Sequence, residues 1–397
     1  MRNGIASIAV VTLWAIPWAL AAEPEPAPEP DKPLMSLLKS AGVGQEMEKA
    51  GFSLFGRVQT SYTWNFDSPR SDTNALRLYD IDHDKVLLNQ LAIGLERAVD
   101  AQKKQFDVGG RIDWIYGTDA GFMHANGLFD WYDGPRDPDE QFDLYQAYID
   151  VAIPVGRGVL LRLGKASTLI GYEAIDPTQN ALFSHSYMYN FAAPSTQTGI
   201  LATCWLADGL SVTAGITRGW DQSVEDNNGA IDFVGSLKWE ISKATSLTVT
   251  LSVGPQQDDN SGDWRNVLDA YLTHDLSDNL SLALHGTLGW ESDAADDGGD
   301  AFWCGLAGYA TYKFNGYLSL SGRLEWFRDD DGARTGVAAN YCEATVGLGI
   351  TPFPKDRFGQ FLKIRPELRG DFSDERVFND GDDKSMFTAA IDVIYQF

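Results

Sequence analysis

Residues 142–169 read FDLYQAYIDVAIPVGRGVLLRLGKASTL, residues 170–195 IGYEAIDPTQNALFSHSYMYNFAAPS and residues 196–206 TQTGILATCWL. The first segment holds two strand-like runs, Phe142 to Ile153 and Val159 to Leu169, joined by the tight turn Pro154-Val155-Gly156-Arg157-Gly158. A long polar and aromatic stretch, Ile170 to Ser195, separates them from a third run, Thr196 to Leu206. A short turn at one end and a long loop at the other is the asymmetry of a transmembrane β-barrel. Such a loop is long enough to fold back into the barrel and narrow its lumen.

The same period-two pattern spreads in both directions. Ser246-Leu247-Thr248-Val249-Thr250-Leu251-Ser252-Val253 alternates polar and apolar without a fault, as do Leu210 to Ile216, Leu280 to Leu284 and Leu318 to Trp326. Sixteen strands are expected, starting near residues 51, 87, 105, 142, 159, 196, 210, 229, 246, 263, 280, 300, 317, 340, 361 and 385. Short connections such as Ala207-Asp208-Gly209 and Phe314-Asn315-Gly316 alternate with long ones, including 65–86, 118–141 and 329–339. That parity yields an even-stranded, all-β, antiparallel up-and-down barrel over 51–397 with both termini on the short-turn side, the periplasm. Trp64, Trp114, Tyr116, Trp220, Trp290, Trp303 and Trp326 fall near the long-loop ends, where an aromatic girdle would meet lipid headgroups. A secreted sandwich or propeller shares the period of two, but would bury its tryptophans in mid-strand.

The beginning of the chain points the same way. Met1-Arg2-Asn3 is a short basic region, Ile5 to Leu20 an apolar run containing Pro17, and Ala19-Leu20-Ala21 a cleavage pattern, so 1–21 reads as a secretory signal peptide. Residues 22–50 follow as a periplasmic tail: a proline-acid linker, Glu23 to Pro33, then Leu34 to Ala50, where Leu34, Leu37, Leu38 and Met47 stand on roughly helical spacing broken by Gly42-Val43-Gly44 and a short helix is expected. After residue 22 no apolar run approaches the ~18 residues a membrane helix needs. A composition of 44% hydrophobic residues and a mean hydropathy of −0.22 is what alternation between lipid and lumen averages to.

Net charge −25 makes nucleic acid an improbable partner, because phosphate would be repelled. The long connections hold 29 Asp and Glu against 7 Lys and Arg, so most of that charge sits in the outer loops. Asp293, Asp296, Asp297, the run Asp329-Asp330-Asp331, and Asp380, Asp382 and Asp383 could attract divalent cations bridging to lipopolysaccharide, although a solvated acidic surface is the simpler reading. Asp80-x-Asp82-x-Asp84 begins like a calcium loop but has Lys85 where glycine is needed, and no resident metal is expected. Cys204, Cys304 and Cys342 lie in expected strands as small wall residues, and their odd number forms no disulfide framework.

Tyr145-Gln146-Ala147-Tyr148-Ile149-Asp150-Val151, Gly164-Lys165, Gly171-Tyr172-Glu173, Asp176-Pro177, Ser184-His185-Ser186-Tyr187 and Thr198-Gly199 resemble the OmpL-like β-barrel porin family. Asn89-Gln90 and Tyr116-Gly117-Thr118-Asp119-Ala120 fit the same pattern, whereas the C-terminal half resembles it only in style. The resemblance implies passive passage of small hydrophilic solutes across the outer membrane, with no cofactor and no catalysis. Porins of this strand number are often homo-trimers, although one sequence reveals no interface. The last strand, ending Ile394-Tyr395-Gln396-Phe397, resembles the signal read by the outer-membrane assembly machinery.

Alternation supplies the pore-lining candidates. Placing Leu54, Val58, Ile112, Trp114, Leu161, Leu163, Leu324, Ile364 and Leu368 toward lipid turns Arg57, Gln59, Arg111, Asp113, Arg162, Arg323, Glu325, Lys363, Arg365, Glu367 and Arg369 inward. A charge at the lipid midplane costs roughly 2–4 kcal/mol, which disfavours the one-residue slip. The constriction-loop candidates are Tyr172, Glu173, Asp176, Asn180, His185, Tyr187 and Tyr189. Glu173 and Asp176 are expected opposite the arginines, giving a transverse field; mutual pairing around a wide hole is the alternative. The loop aromatics suit stacking on sugar rings or, equally, packing of the loop itself. Two rival functions remain, a plugged structural or adhesive barrel and an outer-membrane hydrolase. The hydrolase would draw on Ser184, His185 and Ser186, or on His285 with Ser281.

Overall fold

The computed structural model describes residues 31–397. The expected signal peptide, and the linker as far as residue 30, lie outside the described residues.

Sixteen antiparallel strands form a closed barrel in which each pairs with its sequence neighbours and the first with the last. They are β1 (Phe52–Asn65), β2 (Lys85–Arg97), β3 (Asp107–Gly117), β4 (Gln141–Ile153), β5 (Val159–Ser167), β6 (Thr196–Ala207), β7 (Leu210–Thr217) and β8 (Asp232–Ser242). The second half runs β9 (Thr245–Pro255), β10 (Trp264–Ser277), β11 (Leu280–Glu291), β12 (Ala301–Lys313), β13 (Leu318–Asp329), β14 (Ala339–Ile350), β15 (Leu362–Ser373) and β16 (Ser385–Gln396). Every strand starts within three residues of its expected position. Closure leaves no unpaired edge, which removes the sandwich and propeller alternatives.

The seam explains one glycine. The Gly56 amide donates to the Phe397 carbonyl (2.7 Å) and the Phe397 amide to the Gly56 carbonyl (2.9 Å). A Cβ on Gly56 would lie 2.3 Å from the Phe397 ring. Only a residue without a side chain lets the terminal ring cover the join.

Alternation sorts the faces as a membrane wall requires. On β13, Leu320, Leu324 and Trp326 are exposed, while Ser321, Arg323, Glu325 and Phe327 are buried inside. Leu284 and Leu288 on β11, Leu306 on β12 and Val346 on β14 continue the apolar outer band. Cys204, Cys304 and Cys342 are free thiols. Of the expected girdle, Trp64, Trp114, Trp290 and Trp326 are exposed on the outer face. Trp220 and Trp303 are not part of it. Trp303 shares its face with Ala301 and Ala307, so parity turns it inward, where it is fully buried, and Trp220 folds in beside the same cluster. The guanidinium of Arg334 lies 5.4 Å from the Trp220 ring and 5.3 Å from the Trp303 ring.

The tail before β1 forms two short helices, α1 (Pro33–Ser40) and α2 (Gly44–Lys49), with the break at the Gly42-Val43-Gly44 interruption, where Gly42 takes a left-handed conformation (φ 84°). Helix α1 rests on the exposed start of β1, where the Leu54 amide donates to Met35 Sδ (3.3 Å) and Lys32 Nζ sits 5.7 Å from the Phe55 ring. Among the described residues no helix is long and apolar enough to cross a membrane.

Candidate functional site

The connection from β5 to β6, residues 168–195, is the segment the barrel encloses. Its local structure follows from its capping residues. Asp176 precedes Pro177 and accepts from the Thr178 amide (3.0 Å), opening a 3-10 turn. Ser186 accepts from the Tyr189 amide (3.1 Å) and starts the short helix α3 (Tyr187–Phe191). Asn180 closes the intervening bend by bonding both the amide (2.9 Å) and the carbonyl (2.6 Å) of Ala174.

Inward side chains of β13 and β15 seat this loop by its backbone. Glu325 accepts from the amides of Tyr187 (2.6 Å) and Met188 (2.8 Å), so a carboxylate meets the free N–H groups at the start of α3. Glu367 accepts from the amides of Phe183 (2.8 Å) and Ser184 (3.3 Å). Arg365 Nη1 donates to three loop carbonyls, those of Pro177 (3.1 Å), Asn180 (2.7 Å) and Leu182 (2.9 Å), while Nη2 binds Asp392 (2.6 Å). Arg369 donates to the His185 carbonyl (2.5 Å) and pairs with Asp371. Across the barrel, the Gly171 amide donates to Asp269 on β10 (3.0 Å) and Thr250 on β9 to the Leu169 carbonyl (3.1 Å). Gln59 donates to Asp392 (2.8 Å) beside this network.

The two loop carboxylates expected to face the arginines across a gap instead touch them. Glu173 lies 2.7 Å from Arg323 and Asp176 3.3 Å from Arg57. The reason is burial: a carboxylate this enclosed persists as an ion only beside its counter-ion. Burial alone would raise the Glu173 carboxyl, but Arg323 and then His185 hold it well below the usual carboxylate range. Asp176 is likewise lowered against its own burial, by Arg57 and the Thr178 bonds. Arg111 pairs with Asp113 (2.7 Å) and Arg162 with Asp150 (2.8 Å). Charge around the loop is therefore locally compensated.

Loops from β1 and β3 brace the same network, which sequence reasoning did not reach. Arg77 bridges Asp80 and Asp371 (2.5 Å to the latter), and Asp371 in turn accepts from the Tyr187 hydroxyl (2.7 Å). Asp119 accepts from Asn89 (3.0 Å) and Gln90 (2.8 Å), and Gln90 also holds the Ile175 carbonyl (3.1 Å) and Arg57 Nε (3.0 Å). Burial, opposed by those two amides, pushes the Asp119 carboxyl up to about 6. Asp329, expected in an acidic outer run, is buried and bonds the amides of Arg334 and Thr335 in the next loop.

The serine and histidine candidates are absorbed into this scaffold. His185 Nδ1 meets Glu173 (3.2 Å) and its ring stacks on Tyr189 (4.0 Å between centroids). Ser186 Oγ serves α3, and Ser184 Oγ accepts from Arg323 (3.3 Å). His285 bonds Asp269 (2.7 Å) and Ser281 bonds Asp275 (2.6 Å), so those two do not meet. No cluster of metal-ligating side chains occurs among the described residues.

Most of the loop's bonds run to β13, β15 and β1, with its start anchored on β9 and β10, and space remains along its flank. A cavity of about 570 Å³ lies between it and the wall from β3 to β10, lined by Arg111, Tyr148, Arg162, Thr213, Lys238 and Tyr271 together with Tyr172 and Glu173 of the loop.

The family model described as "Putative beta-barrel porin-2, OmpL-like" matches residues 51–397. No curated protein sequence matches the chain. Among solved structures, it is similar to the outer membrane channel DcaP of Acinetobacter baumannii (TM-score 0.58, 13% identity, 88% of this chain and 98% of that one). It is also similar to an anion-selective porin from Comamonas acidovorans (0.58, 13%, 87% and 99%). A third is the trimer form of OmpT, an outer membrane protein of Vibrio cholerae (0.57, 11%, 87% and 99%). At these identities the structural likeness shows the fold.

Proposed function

Because the chain belongs to the OmpL-like putative beta-barrel porin-2 family, we propose that it is a porin through which small hydrophilic solutes diffuse passively, in the gap between residues 168–195 and the wall from β3 to β10. The observation that carries this reading is the cavity left beside the loop. Backbone bonds from Glu325, Arg365 and Glu367 hold its middle to one wall and Asp269 and Thr250 hold its start to the other, yet a polar cavity of about 570 Å³ remains along its flank. A plug would fill that space. Selective narrowing by a loop held against a charged wall follows the general physics of pores.

The barrel belongs in the outer membrane, with lipid and lipopolysaccharide around it. Both termini lie on the short-turn, periplasmic side, and the strand ending at Phe397 is the element that the assembly machinery engages. We propose no catalytic role for the Ser and His candidates: Ser184, His185 and Ser186 are bonded within the loop scaffold, while His285 and Ser281 pair separately with Asp269 and Asp275. A trimer form is recorded for the OmpT neighbour, and a homo-trimer is the assembly we propose here.

Swelling of proteoliposomes in isosmotic solutes tests this. The expected result is swelling that falls steeply with solute size, from glycerol through glucose to trisaccharides. Vesicles carrying folded, heat-modifiable protein that swell no faster than empty ones would overturn it.

A further inference from the structure

Five aromatics occur in residues 168–195, and they have different fates. Phe183 and Tyr187 are buried, Tyr189 is stacked on His185, and Phe191 packs against the Trp303 cluster. Tyr172 remains 37% exposed. Its ring stands 4.7 Å from that of Tyr309 and 5.6 Å from that of Tyr271, tilted by 59° and 58°. These contacts hold the ring in place, and Tyr172 lines the cavity with more than a third of its surface still exposed.

The facing wall is rich in hydroxyls. Thr203, Ser211, Thr213, Ser236 and Thr248 line the same cavity. Thr203 and Thr213 bond each other (2.8 Å), and Ser236 bonds Thr250 (2.9 Å), which uses one function of each group and leaves the others open. The charges at the cavity come as pairs. Arg162 is bidentate on Asp150, Arg111 donates twice to one oxygen of Asp113, and Lys238 has Glu240 3.9 Å away. An ion entering here meets compensated charge; a neutral solute rich in hydroxyls meets donors, acceptors and a partly exposed aromatic ring.

Resting on the porin reading, we propose that Tyr172 and the hydroxyl wall of β6 to β9 form a subsite for a neutral saccharide in transit. The sugar ring sets its weakly positive C–H face on the electron-rich face of Tyr172. Its hydroxyls exchange bonds with Thr203, Thr213 and Ser236, and with the guanidinium edge of Arg162. The cavity is of the size that accommodates small-molecule ligands, roughly 300–1,000 Å³.

Single channels in a planar bilayer in KCl separate this proposal from the one it rests on. Maltotriose added over the millimolar range should interrupt the current reversibly, with glycerol at equal osmolarity as the control. Tyr172→Ala should weaken the interruption about tenfold and Tyr172→Phe by less than about threefold, since the face is kept and only the hydroxyl is lost. Channels that conduct but ignore maltotriose, or a Tyr172→Ala channel interrupted as strongly as the parent, would overturn the saccharide subsite and leave the porin reading standing. Absence of any conductance from folded protein would overturn both.

Discussion

Replacing Arg365 by methionine should release the loop from its wall. The guanidinium gives residues 177–182 three hydrogen bonds of 2.7–3.1 Å and neutralises Asp392 at 2.6 Å, all at 1% exposure. Charge-assisted bonds are each worth about 1.5–3 kcal/mol net, but three from one nitrogen do not add. Removing one member of a buried pair costs about 3–5 kcal/mol, most of it the stranded charge. Asp392 keeps only Gln59 (2.8 Å), so a loss near 4 kcal/mol follows, roughly a thousandfold in the balance between seated and unseated loop. Methionine preserves length and fills the space, so that packing contributes little. Asp392→Asn in the same background removes the stranded charge and isolates the loop bonds. The assay is single-channel recording: Arg365→Met should give larger mean steps with added flicker, and the double variant should keep the larger steps while regaining thermal stability. Steps and noise equal to those of the parent would refute the idea that Arg365 holds the loop.

Three further outcomes follow from the same geometry. Glu325→Gln exchanges a carboxylate for an amide at the start of α3 and should loosen the loop by about 1–3 kcal/mol, read as flicker without a change in the barrel's melting point. Asp119, raised to about 6 by burial against an unfolded value near 3.9, binds its proton more tightly when folded. Its penalty therefore grows as pH rises from about 4 to 6 and reaches roughly 3 kcal/mol above that. Glu173 and Asp176, held low by Arg323 and Arg57, act in the opposite sense and lose their contribution only as pH falls below the ordinary carboxylate range. Urea midpoints of the refolded barrel should thus rise from pH 7 to pH 5 and fall under stronger acid, and Asp119→Asn should flatten the upper limb; an unchanged slope would contradict the assignment. Gly56→Ala places a methyl 2.3 Å from the Phe397 ring and 2.8 Å from the Ala92 carbonyl, which should cost about 1–3 kcal/mol in the same titration, with part recovered by Phe397→Leu.

The barrel was legible because its signal is local and repeated. Period two places every strand start within three residues, and the lumen parity of Arg323, Glu325, Arg365, Glu367 and Arg369 follows from Leu324 and Leu368 pointing to lipid. Trp303 could have been placed by that rule, since Phe302 and Leu306 are exposed on either side of it; its nearness to a strand end suggested the girdle instead. Helix α3 had a weak local mark, the Ser186 cap three residues before Tyr189. What no local pattern reveals is which charge meets which. Glu325 reaches Tyr187, Arg365 reaches Pro177 and Asp371 reaches Arg77 across 138, 188 and 294 positions. Whether Glu173 and Asp176 face the arginines across a gap or pair with them is left open by the sequence, which does not register how strongly burial forces a carboxylate onto its counter-ion.

The most direct test of the account is the conductance of the intact, refolded protein in a planar bilayer under a salt gradient. The account predicts discrete, long-lived open steps of ohmic current, with a small reversal potential despite a net charge of −25, because the charges at the cavity are paired. Silent bilayers from protein with the heat-modifiable mobility of a closed barrel would contradict it.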